Sequence, residues 1–165
     1  MNVMLAALLS AAVAGAPAPV AQPAAQPATS PLVGQWTLDV DSLPMPPEAR
    51  PKRVSLAFAA TPDGRWNERV EIVDQNDKTL HSESTLSLDG TPGRATGTYW
   101  VDVLAAKMPA PGVLVMQFVY EGIPRSTRVY SVSADGSVMT ETEAYFKDGT
   151  PMLRTAFFRR ADHAR

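Results

Sequence analysis

Four Asp-Gly pairs, at residues 63–64, 89–90, 135–136 and 148–149, each fall between two runs in which apolar and polar side chains alternate. Asp and Gly tolerate the positive φ angles that tight two-residue turns require, so such a pair between alternating runs signals a β-hairpin. A hairpin makes its two strands antiparallel neighbours. Repeated along the chain, the signal points to an antiparallel meander.

The runs support this reading. LVGQWTLDV places Leu32, Trp36, Leu38 and Val40 on one face, KRVSLAFAA aligns Val54, Leu56 and Phe58, and RWNERVEIV aligns Trp66, Val70 and Ile72. KTLHSESTLSL, RATGTYWVDVL, VLVMQFVY, RSTRVYSVS, VMTETEAYF and PMLRTAFFRR follow, separated by turn signals such as DGTPG, PAPG and EGIP. That makes nine candidate strands. No stretch keeps a 3.6-residue period, and no crossover helix is visible. A sheet of short-looped strands tends to close, because closure removes its edges. The expected fold is all-β: a single antiparallel up-and-down β-barrel of eight or nine strands over residues 32–160. A two-sheet sandwich is the alternative.

The first thirty-one residues read differently, for they carry no charge. Residues 3–14 form an apolar run shorter than the roughly 20 residues that span a bilayer. Ending in Ala12-Val13-Ala14, it fits the hydrophobic region of a secretory signal peptide, although no Lys or Arg precedes it. A buried core helix is the alternative for this run. Residues 15–31 form an Ala/Pro/Gln tract that offers no core and favours extended polyproline conformations. The expected organisation is a signal peptide at 1–14, a linker at 15–31, the barrel at 32–160 and a tail at 161–165. Such a protein would be exported, periplasmic or secreted, with no integral membrane segment after cleavage.

Charge and cysteine content exclude several functions. A net charge of −2 argues against nucleic acid as a partner, since phosphate contacts need a clustered basic face. It also supplies no polybasic anchor for an anionic membrane. With no cysteine there is no disulfide, thiolate nucleophile or lipid-modified cysteine. The two histidines, His81 on a strand and His163 in the tail, cannot make a zinc site, which takes three or four ligands. No Gly-x-Ser-x-Gly elbow, P-loop or dinucleotide fingerprint occurs. No metal, no cofactor and no catalytic residue is expected, and the protein reads as non-enzymatic.

Gly34-Gln35-Trp36 on the first strand and Arg159-Arg160 after Phe157-Phe158 on the last resemble the lipocalin signature. The resemblance implies that Trp36 plugs the closed end of the barrel and that an arginine, taken as Arg159, packs across it. A flat indole under a guanidinium is a cation–π pair, with Gly34 avoiding a clash. The longer pattern, from GQWTLDVDSLPMPPEARPKRVSLAF through LSLDGTPGRATGTYW to YSVSADGSVMTETEAYFKDGTP, resembles small exported bacterial lipocalin-like, calycin-type proteins. This second resemblance implies fold and export and carries no function.

Candidate site residues come from strand parity. Glu68 shares parity with Trp66, Val70 and Ile72, and Gln117 with Val115 and Val119. Each would point into the barrel, or to solvent if a bulge shifts the register. Glu141 and Glu143 share a face, as do Asp39 and Asp41, and both pairs read as soluble exterior. DQND at 74–77 is a turn. Trp66, Tyr99, Trp100, Phe118 and Phe146 could wall a cavity, and Ser82, Ser84, Ala95 and Gly97 leave it volume. The expected partner is a small hydrophobic or amphipathic ligand held by Trp66, Glu68, Tyr99, Gln117 and Phe118. The alternative is a structural or interaction protein of the cell envelope with a filled barrel.

Overall fold

The computed structural model describes residues 30–161. The signal-peptide reading at 1–14, the linker except Ser30 and Pro31, and the tail beyond Ala161 with His163 lie outside the described residues.

Ten antiparallel strands run up and down around one closed barrel. They are β1 (Gly34–Leu38), β2 (Arg53–Ala60), β3 (Trp66–Val73), β4 (Thr79–Leu86), β5 (Asp89–Gly97), β6 (Val103–Ala110), β7 (Val113–Tyr120), β8 (Ile123–Val132), β9 (Val138–Lys147) and β10 (Thr150–Arg160). Every strand pairs with its sequence neighbours, and β1 closes the ring on β10. No helix among the described residues is long and apolar enough to cross a membrane.

The count of eight or nine strands is corrected to ten. DGTPG, which reads as punctuation, lies inside β5, so Asp89-Gly90 is strand rather than hairpin turn. The single run RATGTYWVDVL breaks after Gly97, and its second half belongs to β6. The break has a local cause: Thr98 and Tyr99 both donate their N–H groups to the His81 carbonyl, at 2.8 and 3.0 Å. Gly97 sits against that carbonyl at φ +134°, where any Cβ would collide with it. The other three Asp-Gly pairs do turn the chain. At β9–β10 both Asp148 and Gly149 have positive φ, 51° and 79°, as a tight two-residue hairpin requires.

The two ends of the barrel differ. At the floor, Leu32, Trp36, Phe58, Leu86, Leu114 and Met139 are fully or almost fully buried. The Trp36 indole N–H donates to the Leu32 carbonyl at 2.9 Å. Arg160, not Arg159, caps the ring, its guanidinium carbon 4.2 Å from the ring centre. The register explains the correction: Trp36 stands opposite Arg160 across the seam, and Arg159 opposite Thr37. Parity therefore turns Arg159 outward, where it meets Asp39 at 3.4 Å. Gly34 leaves room for the Arg160 head, since a Cβ there would overlap its Nη1.

At the other end, the mouth, β1 and β2 are joined by a longer connection with two single-turn 3₁₀ helices, Val40–Ser42 and Pro47–Ala49. It tucks Leu43 into the core. Because β1 stops at Leu38 opposite Phe158, the first residues of β10 run on beyond it toward the mouth.

Candidate functional site

The upper interior is polar and charged. On β8 the inward parity carries Ser126, Arg128 and Tyr130; on β9 it carries Glu141, Glu143 and Tyr145; on β10 it carries Arg154 and Ala156. The register places Glu143 directly opposite Arg128 on one side and Arg154 on the other. Neighbouring strands thus present a basic–acidic–basic ladder, in which directly opposed residues interact most strongly. Arg128 Nη2 lies 3.1 Å from one Glu143 oxygen and Nη1 lies 3.6 Å from Glu141, while Arg154 pairs with the other Glu143 oxygen.

Glu141 and Glu143 are therefore buried, and their reading as exterior acids is corrected. Two acids alternating with threonines look like a wet face. Met139 and Tyr145 share their parity, however, and the opposing arginines make burial tolerable by pairing each carboxylate. The signal was present in the sequence as inward-parity arginines on both flanking strands.

Arg128 is the hub. It stacks over Phe118, with 4.3 Å to the ring centre, and donates to the Tyr99 hydroxyl at 3.1 Å and to Ser126 Oγ at 3.3 Å. Burial opposes its charge, yet Tyr99, Tyr130 and the two glutamates hold its pKa well above the ordinary guanidinium value. Burial, followed by the charge of Glu141, likewise raises the Tyr130 phenol well above its usual range. The Nε of Arg154 is buried and has no partner among the described residues.

Two adjoining cavities flank this network. One of about 290 Å³ opens at the mouth, lined by Tyr99, Trp100, Phe118 and Tyr145 together with Arg125, Arg128 and Arg154. The other, about 180 Å³, lies beneath the β1–β2 connection and meets Leu43, Met45, Ile72 and Phe158. Tyr99, Arg128 and Arg154 belong to both.

Glu68 does point inward, with 2% of its surface exposed. Its one side-chain hydrogen-bond partner among the described residues is Ser84, whose hydroxyl donates to it at 2.9 Å. Burial raises its pKa to about 7, against smaller opposing effects of Ser84 and Arg128. The Ser82 hydroxyl nearby is buried without a partner among the described residues.

The five candidate ligand residues are thus not brought together. Tyr99 and Phe118 line the mouth cavity. Trp66 packs in the floor against Phe58, ring centres 5.8 Å apart. Gln117 lies on the outer face, because Leu114, Met116 and Phe118 are the buried residues of β7; this corrects its inward reading. There its amide donates to the Ser126 carbonyl at 3.0 Å and accepts from Thr127 at 2.7 Å. Phe146 is 73% exposed on the exterior and walls neither cavity. His81 is exposed. No cluster of three His, Cys, Asp or Glu side chains among the described residues has metal-binding geometry.

A scan against protein-family models and a search of curated proteins each return no match to this chain.

Proposed function

We propose that the protein is an exported, non-enzymatic binding module that takes a small amphipathic molecule into the mouth of its barrel. The observation that carries this is the 290 Å³ cavity in which Tyr99, Trp100, Phe118 and Tyr145 converge with Arg128 and Arg154. Ligand sites combine an apolar, aromatic lining with a few convergent polar groups in this way. The cavity is at the small end of the usual range and about twice the ~150 Å³ void that accepts benzene elsewhere. A compact guest fits, with its apolar part against Phe118 and Tyr145 and its polar end toward Arg128 and Tyr99. Export rests on the apolar run at residues 3–14 and the uncharged tract behind it.

The test is to purify the chain, extract it and look for a co-purified molecule by mass spectrometry, then titrate 8-anilinonaphthalene-1-sulfonate against tryptophan emission. Saturable quenching at one equivalent, lost in Phe118→Ala and kept in the outer-face variant Thr96→Ala, is the expected result. The absence of both a bound molecule and saturable quenching would count against a carrier. It would favour a structural or interaction protein of the envelope, a reading supported by the solid lower half of the barrel, where Leu32, Leu114 and Met139 are fully enclosed.

A further inference from the structure

The closing seam leaves part of a strand edge open. β1 pairs only with the last residues of β10, from Leu38 opposite Phe158 to Trp36 opposite Arg160. Beyond it the Asp39 N–H reaches the Phe157 carbonyl at 2.8 Å, and the chain then leaves in the first 3₁₀ turn. Among the described residues no strand pairs with Thr150–Ala156 on that side. Because Phe157 directs its carbonyl at β1 and the register along β10 is unbroken, Pro151, Leu153 and Thr155 direct their backbone groups to the same open side. An edge of unpaired N–H and C=O groups is a template for another strand.

The side chains along this edge are poorly protected. Leu153 is 75% exposed, the most of any large hydrophobic residue described, with Met152 and Phe157 exposed beside it and Phe146 on the adjoining strand. No acid lies among Thr150–Arg160. Pro151 is the only edge-blunting residue, and it stands near one end.

We propose that this edge is a self-pairing surface, and that its occupant is β10 of a second copy of the chain, running antiparallel about a two-fold axis at Leu153. The open stretch Thr150–Ala156 has Leu153 at its midpoint, so a symmetric copy fills it from end to end. Leu153 then exchanges both hydrogen bonds with its copy, and the Thr155 N–H reaches the carbonyl of the partner's Pro151, where a missing N–H matters least. Met152 falls opposite the partner's Arg154, which avoids setting the two Arg154 side chains against each other. The incoming β9–β10 turn ends against β1, where Asp39 already occupies the place opposite Phe157. Such a contact is isologous, the commonest kind in homodimers, and it braces the strand that carries Arg154 into the mouth cavity.

Sedimentation velocity over a range of protein concentrations tests this, and the absence of cysteine allows a direct geometric check. Residues paired at such an axis have Cα atoms about 5.5 Å apart, within the roughly 4.4–6.8 Å that a disulfide spans. The full chain should sediment at twice its mass, and Leu153→Cys should form a covalent dimer on mild oxidation, whereas Thr96→Cys, remote from the edge, should not. Leu153→Lys places like charges on the axis and Thr155→Pro removes only an edge-facing donor. Both should give folded monomers with unchanged circular dichroism. A wild-type chain that stays monomeric at every concentration overturns the proposal, as does a dimer that survives both variants.

Discussion

The guanidinium of Arg160 lies 4.2 Å from the ring centre of Trp36, on the residue directly opposite it across the seam. The same side chain donates to the carbonyls of Pro31, Val33 and Gly136. It thereby ties the entering chain, the closing strand and the β8–β9 turn to one charge.

Arg160→Ala removes the stacked cation and leaves those carbonyls without their charged donor. We expect a loss of about 2–4 kcal/mol, with Trp36 emission shifting to the red in urea unfolding. Arg159→Ala, whose partner Asp39 is reached at 3.4 Å with the arginine 71% exposed, should cost less than about 1 kcal/mol. Equal losses would show that the floor does not depend on the stack.

Gly34→Ala should destabilise by roughly 1–3 kcal/mol, combining strain at φ +137° with displacement of the Arg160 head. In an Arg160→Ala background the displacement is gone and only the backbone strain remains. A double-mutant cycle by urea denaturation should therefore find the two substitutions less than additive. Strict additivity would separate Gly34 from the cap.

Glu68 makes stability depend on pH. Its pKa is about 7 in the fold against an ordinary 4.5, so between these values the folded chain holds a proton that the unfolded chain has lost. Stability must fall as pH rises through that window and level off above it. Glu68→Gln keeps the Ser84 bond and cannot ionise, so it should be more stable than wild type near pH 8 by about 3 kcal/mol and equal to it near pH 4. Parallel urea midpoints for the two proteins across this range would refute the assignment.

Arg128→Met strands Glu141 in the interior and leaves Glu143 with Arg154 alone, and a broken buried pair costs about 3–5 kcal/mol. Arg53 pairs with Glu71 at 2.6 Å, but its side chain is 57% exposed. Arg53→Ala should therefore cost less than about 1 kcal/mol. Thermal melts of the two variants would show the difference directly, and similar melts would mean that water reaches the ladder.

The barrel was legible because period-two alternation and hairpin turns are local signals. Asp63-Gly64, Asp135-Gly136 and Asp148-Gly149 mark real turns, and alternation on the first strand correctly placed Trp36 inside. What failed depended on contacts between strands. The hook after Gly97 exists because two N–H groups find the His81 carbonyl, and no local preference of Thr98 or Tyr99 announces that. Which of two neighbouring arginines caps Trp36 was decided by register across the seam. The acids of β9 misled for the same reason: polarity assigned them to solvent, whereas Arg128 and Arg154 on the flanking strands made the interior habitable. For Glu68, parity with Trp66 offered the inward direction as one of two readings, and the unbroken register of β2, β3 and β4 decides for it. Gln117 was not readable by parity, since both faces of β7 are apolar.

The short strand β1 has a kinetic consequence. Its contact with β10 is the one pairing in the ring between strands that are not consecutive in sequence, joining residues near 36 to residues near 160. The pairings from β2 through β10 can form from hairpins, at the low entropic cost of short loops, whereas β1 joins β2 through the longer connection of residues 39–52. The nine hairpin-linked strands can therefore assemble as an open curl, and shutting it is the step with the longest reach. The Trp36–Arg160 stack reports that step, so a refolding chain should acquire its sheet before its buried tryptophan signal.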